Sequence, residues 1–235
     1  MTFKTVLFDL DGTLLPMDTD AFTKAYFGGL ARAAAPYGYE PKKLIDVTLA
    51  GTEAMIKNDG KLLNKEVFWQ VFAKAYGEER LADIPIFDRY YETEFDKAAP
   101  TCGYQPLARE LIDLLKDRGI DIVLATNPLF PETATLHRIR WAGLDPDDFK
   151  LITVYENSRR CKPNPEYYRD IIAELGLNPA ECLMVGNDVE EDMIVRNLGM
   201  SVYLVTDCLI NRRGNVDDYP HGSFEELLEY VKSNV

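Results

Sequence analysis

Two hydrophobic periods alternate along this chain. Short, almost uniformly apolar runs recur at Val6-Leu7-Phe8, Ile120–Ala125, Leu151–Val154, Cys182–Val185 and Val202–Val205. Runs of that length with no polar face read as strands covered on both sides, the pattern of a parallel sheet. Between them, apolar positions fall three or four apart. Phe22, Ala25, Tyr26, Leu30 and Ala33 predict a helix from about Asp20 that ends near Pro36 and Gly38. Leu44, Thr48, Gly51 and Met55 predict a second from Pro41; Phe68, Val71, Phe72 and Ala75 a third, stopped at Gly77; Phe87, Tyr90, Tyr91 and Phe95 a fourth, stopped by Pro100.

Beyond Pro106 the two periods interleave. Leu107, Leu111, Leu114 and Leu115 mark a helix closed by Gly119, and another runs from about Pro131 to Trp141, closed by Gly143. Asn164, Pro165 and Glu166 supply an N-cap, a proline at N1 and an acid at the positive end of the dipole, opening a helix to Leu175. A further helix is expected up to Leu198, and Ser223-Phe224-Glu225-Glu226 has capping-box spacing for a terminal one. Strands alternating with helices predict an α/β fold with a doubly wound parallel sheet. Residues 16–99 contain no convincing strand and hold 13 of the chain's 26 aromatic residues. They predict a small helical bundle whose aromatics are mostly core, inserted after the first strand, where such an insert behaves as a lid. The expected division is residues 1–15 with 100–235 as an α/β core and 16–99 as a helical domain. Gly28-Gly29, inside the first helix, is read as a packing site.

At 235 residues the chain suffices for a sizeable core, and 46% hydrophobic with 28% charged residues is ordinary for a globular protein. Its formal charge of −13 and pI near 4.7 repel nucleic acid and anionic membrane surfaces, so neither is an expected partner. No apolar run approaches transmembrane length and the N-terminus does not read as a signal peptide. The four scattered cysteines have no metal-ligand spacing; reduced thiols in a cytoplasmic protein are the expected state. The sequence sets no oligomeric state.

Candidate chemistry lies where the strands stop. The first ends in Asp9-Leu10-Asp11-Gly12-Thr13, two acids spaced to share a side. That pair predicts a metal site or an acid–base pair, against the plainer reading of an Asp-Gly turn. The second strand ends at Thr126-Asn127, and the fourth at Asn187 and Asp188; Lys162 precedes the helix after the third. In a parallel sheet these ends share one edge, the usual ligand edge of open α/β folds. Three carboxylates suit a hard cation, and a hydroxyl with an ammonium suits anionic oxygens. Phosphoryl transfer needs that combination.

These stretches resemble the motifs of the haloacid dehalogenase (HAD) superfamily over essentially the full chain. Asp9–Thr13 resembles the first motif, Leu124–Asn127 the second, Lys162-Pro163 the third and Gly186–Asp192 the fourth; residues 16–99 resemble the C1-type cap. The resemblance implies an Mg2+-dependent phosphatase acting on a small phosphomonoester. Asp9 would be nucleophile and metal ligand, and Asp11 general acid/base with its backbone carbonyl on the metal. Thr126 and Lys162 would hold phosphoryl oxygens, with Asn127 assisting. Asp188 would be the remaining metal ligand, with Asn187 and Asp192 supporting. Which residue of that last loop touches the metal depends on the spacing chosen, and Asp188 is favoured because Asn187 carries no charge.

Asp11 separates reactions within the family. A halide leaves unprotonated, whereas an alkoxide needs a proton, so an acid there favours phosphatase or phosphomutase chemistry over dehalogenation. A β-phosphoglucomutase-like mutase and a non-enzymatic binding or regulatory protein on the same fold are the alternatives. A phospho-acceptor receiver domain places its acceptor on a later strand and carries no helical insert, so chain order disfavours it. Glu190 and Glu191 are read as opening a helix, Arg159 and Arg160 as a solvated loop, His137 and His221 as structural or surface residues, and Cys182 as core. Cys161, beside Arg160 and Lys162, is not expected to be an activated thiol.

Overall fold

The computed structural model describes residues 3–235. Six parallel strands form one sheet: β1 (Thr5–Phe8), β2 (Asp121–Leu124), β3 (Leu151–Ile152), β4 (Cys182–Gly186), β5 (Ser201–Val205) and β6 (His221–Gly222), in spatial order β3-β2-β1-β4-β5-β6. Order reverses at β1, which lies between β2 and β4. The apolar runs are continuous because alternate residues enter different layers. Val6 and Phe8 pack with Leu111, Leu115 and Leu227 on one face, while Leu7 packs with Tyr168, Met184 and Leu204 on the other. α5 (Pro106–Asp117) and α8 (Phe224–Asn234) contribute to the first layer, and α7 (Pro165–Leu175) to the second.

Register brings the polar strand ends level. Phe8 pairs with Leu124 on one side and Val185 on the other. The Asp9 N–H donates to Val185 O at 2.9 Å, and Ala125 N–H to Phe8 O at 2.8 Å. Asp9, Thr126 and the turn after Gly186 therefore emerge at one edge.

Between β1 and α5 the chain forms α1 (Thr19–Ala34), α2 (Pro41–Ile56), α3 (Asn64–Tyr76) and α4 (Ile84–Thr93), all at expected places and without a strand. Their shared core is aromatic: Phe22, Tyr26, Trp69, Phe72, Phe87, Tyr90 and Phe95. Gly29 is there for packing, as expected. A Cβ at that position would lie 2.7 Å from the Tyr90 hydroxyl, which donates to Tyr26 O at 3.0 Å. The chain leaves for these helices and returns at one spot, where Met17 bridges Cys102 and Gly103 N–H donates to Pro16 O at 2.7 Å.

Three expectations need correction. β3 is two residues long rather than four; Thr153 still donates its N–H to Leu124 O at 3.0 Å, but beyond it the chain turns, with the Asn157 and Ser158 N–H groups donating to Val154 O. The short edge strand β6 was not anticipated; two residues carry no periodicity. The helix expected up to Leu198 is only a 3₁₀ segment at Met193–Leu198, and Glu190 and Glu191 open no helix. The Asp188 carboxylate accepts the N–H groups of Glu190 (2.9 Å) and Glu191 (3.0 Å), fixing a turn in place of a first helical turn. Among the described residues no helix is long and apolar enough to cross a membrane. α6 (Glu132–Trp141) follows β2 and runs beneath the helical block.

Candidate active site

At the carboxyl edge, buried Lys162 sits between two acids. Its Nζ donates to Asp9 Oδ1 at 2.8 Å and Asp192 Oδ1 at 2.6 Å, with the lysine side chain 1% exposed. Burial alone would discharge the lysine; Asp192 and Asp9 override it and hold its pKa well above the ordinary value. Both acids pay for the same burial: Asp9 is raised, and Asp192 is raised to about 6, with Lys162 opposing each shift. Asp192 also accepts the Asp188 N–H at 3.0 Å. It approaches so closely that a Cβ on Gly186 would lie 2.1 Å from its Oδ2.

Asp11 points elsewhere. Its Oδ2 pairs with Nη1 of Arg138 from α6, and its Oδ1 is buried without a hydrogen-bond partner. Burial raises the Asp11 pKa, and Arg138 and Lys162 hold it down. Arg138 is fixed on every side: Nη2 donates to Thr135 Oγ1 at 3.2 Å, Nε to Ala134 O at 3.4 Å, and the guanidinium lies 4.5 Å from the centre of the Phe130 ring.

Thr126 is buried, its carbonyl accepting the Tyr167 hydroxyl at 2.9 Å as well as Thr153. Asn127 ties two loops together, accepting the Lys162 N–H at 3.2 Å and donating to Glu191 Oε2 at 3.0 Å. Asn187 is spent on structure: it accepts from Thr13 Oγ1 at 3.0 Å and donates to Cys208 O at 2.7 Å. Gly12, at φ +88°, lets that amide pass; a Cβ there would meet it at 2.2 Å. The Asp188 carboxylate faces Arg212 Nη1 at 2.7 Å. Of the eight residues singled out from strand ends and loops, Asp9, Asn127, Lys162, Asp188 and Asp192 therefore belong to one connected hydrogen-bond and ion-pair system, while Thr126, Asn187 and the Asp11–Arg138 pair lie beside it with partners of their own.

Four contributors escaped the sequence reading. Arg138 lies on the buried stripe Ala134, Thr135, Arg138, Ile139, so an arginine at an apolar helical position was the available signal. Glu191, read as a helix opener, is instead drawn into the site; burial raises its pKa to about 7, with Lys162 opposing and Asp188 and Asp192 adding to the rise. Arg212 is remote in sequence, and no pattern marks it. Asn64, fully buried at the start of α3, donates to Pro128 O (3.3 Å), Arg160 O (3.4 Å) and Cys161 Sγ (3.2 Å), and so joins the helical block to both loops that carry Thr126 and Lys162.

Other residues stay outside. Arg160 pairs with Asp170 and Arg159 donates to Lys61 O. His137 contacts Asp96 and His221 is exposed. Burial pushes the Cys161 thiol up to about 12, so it is no activated nucleophile.

The donor set bears on a metal. Asp9, Asp11, Asp188, Glu190, Glu191 and Asp192 stand around Lys162, Arg138 and Arg212, so acids outnumber cations. That excess of carboxylate suits a divalent cation. Among the described residues no three acid, histidine or cysteine side chains converge as a closed cage. Mg2+ fits such a site better than Ca2+ or Zn2+, since it is usually held by one or two carboxylates and keeps several waters.

Carboxylates thus flank a buried lysine at the point where strand order reverses in the doubly wound sheet. The chain belongs to the haloacid dehalogenase-like hydrolase family, whose model matches residues 3–195. It is 27% identical over 199 residues to a ribulose-1,5-bisphosphate 5-phosphatase of Halopiger xanaduensis, covering 82% of this chain and 80% of that one. It is also 27% identical over 204 residues to a phosphoglycolate phosphatase of Caulobacter vibrioides (86% and 78% covered). The fold matches the crystal structure of the HAD-hydrolase YfnB from Bacillus subtilis, described as bound to magnesium, with TM-score 0.59, 19% identity and 99% and 100% of the two chains covered. The protein is a HAD-family phosphatase.

Proposed function

We propose that this phosphatase hydrolyses a phosphomonoester through an aspartyl-phosphate on Asp9, with Mg2+ as cofactor and residues 16–99 as a cap over the site. The observation that carries the reading is the placement of Lys162 between Asp9 and Asp192, with Asp11 two residues beyond the nucleophile. Lys162 occupies one oxygen of Asp9 and opposes the rise that burial imposes on its pKa, leaving the other oxygen to attack phosphorus. The bond to the ester oxygen breaks, and Asp11 gives that oxygen a proton from Oδ1, the atom no protein donor occupies. Asp11 then takes a proton from water, which attacks the phosphorus, releases phosphate and restores Asp9. Thr126 and Lys162 would orient the phosphoryl oxygens, and Asn127 fixes the backbone that carries Lys162. Mg2+, held by Asp9, Asp188 and the Asp11 carbonyl, would supply charge neutralisation on the phosphoryl group.

Phosphate release from a panel of esters, with and without EDTA, tests this reading. Release is expected only with Mg2+, and Asp9→Asn is expected to abolish it. An active Asp9→Asn protein overturns the mechanism. Asp11→Asn should still acquire phosphate from a substrate with a good leaving group while turning over slowly.

A further inference from the structure

A cavity of about 360 Å³ extends from the site into the helical block, a size at the lower end of small-molecule pockets (roughly 300–1,000 Å³). Asp11, Asn127 and Glu191 belong to its wall, so it begins where the leaving alcohol of a substrate would stand. Ten of its twenty-four lining residues are aromatic, among them Phe22, Tyr26, Trp69 and Phe87. None is lysine, arginine or histidine, and its only charged residues are the acids Asp11 and Glu191.

Several polar atoms of the helical wall are already engaged, the buried Trp69 Nε1 being an exception. Thr48 Oγ1 donates to Leu44 O at 2.9 Å, Thr52 Oγ1 to Thr48 O at 3.0 Å, and the hydroxyls of Tyr26 and Tyr91 meet at 2.8 Å. A sugar chain entering here would leave water and find few free partners for its hydroxyls. A carboxylate or second phosphate would face two acids and no cation. Phosphoglycolate and ribulose bisphosphate, named for the two relatives above, each carry such a second anion.

We propose that the substrate is the phosphomonoester of an uncharged, apolar alcohol, alkyl or arylalkyl, whose hydrocarbon part fills this cavity. The proposal rests on the phosphatase reading for turnover but not for binding.

The test compares esters of similar alkoxide reactivity: octyl phosphate and 2-phenylethyl phosphate against phosphoglycolate, glucose 6-phosphate and phosphocholine. The expected result is a kcat/KM at least ~10-fold higher for the first two, equivalent to about 1.4 kcal/mol. Preference for phosphoglycolate, glucose 6-phosphate or phosphocholine overturns the proposal while leaving the phosphatase reading intact. Binding is read separately in Trp141→Phe, where Trp69 is the remaining tryptophan and lines the cavity. Octylphosphonate should change its fluorescence, and phosphonoacetate should not. Octylphosphonate binding without turnover of any ester removes the phosphatase reading and keeps the pocket assignment; no octylphosphonate binding overturns the assignment. Thr52→Arg, at a half-buried wall position, should shift the ratio of octyl phosphate to phosphoglycolate turnover at least ~10-fold toward phosphoglycolate. An unchanged ratio in a folded Thr52→Arg protein also overturns it.

Discussion

Arg138 and Asp11, 127 positions apart, form an ion pair in which the arginine is 1% exposed and the acid 29%. The buried partner is the one with three other anchors, so the arginine sets where the carboxylate rests. Arg138→Met keeps most of the volume and removes that anchor. Turnover is expected to fall about 10- to 100-fold, part of the 10²–10⁴ that general acid–base catalysis typically supplies. KM should change much less. Arg138→Lys should recover only a fraction, since an ammonium lacks the planar fork. Steady-state phosphate release checks both; equal damage to kcat and KM would assign the arginine to substrate binding instead.

Lys162 neutralises two buried acids at once, so its removal is costly to the fold. Lys162→Met should lose activity and also about 3–5 kcal/mol of stability, the usual consequence of leaving a buried charge without its partner. Adding Asp192→Asn removes part of that burden, so the double variant should be more stable than Lys162→Met alone. Urea unfolding of the two proteins decides it, and strictly additive losses would contradict the coupling.

The raised acids link metal binding to pH. Glu191 at about 7 and Asp192 at about 6 lie above their unfolded values, so the metal-free fold binds more protons than the unfolded chain between roughly pH 4 and 7. Their contribution therefore favours the fold at low pH and is lost as pH rises through that window. Mg2+ favours the ionised forms and displaces those protons. Its thermal stabilisation should be larger near pH 7.5 than near pH 5.5, as read by scanning fluorimetry. An equal shift at both would separate the cation from these carboxylates.

Asp148 shows the opposite sign away from the site. Burial would raise it, but hydrogen bonds from Arg109 and Lys116 and the Asp145 N–H lower it from 3.8 to about 2. Its stabilisation is complete above about pH 4 and disappears as pH falls toward 2. Asp148→Asn should cost about 2 kcal/mol at neutral pH, or a Tm loss of roughly 4–8 °C for a chain of this size. The gap from the parent protein should close on acidification.

The strand runs and four helices of the insert were legible because burial imposes a repeating pattern over many residues. Asp9, Asp11, Thr126, Lys162 and Asp188 were legible because strand ends in a parallel sheet share an edge. What lay hidden depends on single residues. Arg138 breaks the apolar rule of its helix only in the presence of Asp11, a contact no local spacing encodes. Glu191 follows an acid whose own side chain captures the local N–H groups, and that capture converts an expected helix into a turn. The direction in which Asp11 turns, away from Lys162, is likewise set by a partner from another element.

Asn64 has a mechanical consequence. One amide holds the loop after Thr126, at Pro128, and the loop before Lys162, at Arg160 and Cys161; backbone bonds from Asn64 and Lys65 to Ser158 and Tyr155 reinforce the second attachment. α3, which begins at this residue, also carries Trp69 in the cavity wall. In the proposed mechanism, tilting α3 to admit a bulky alcohol would pull on the two loops that carry Thr126 and Lys162. The tail and the head of such a substrate would be felt through one lever, with its fulcrum at a single asparagine.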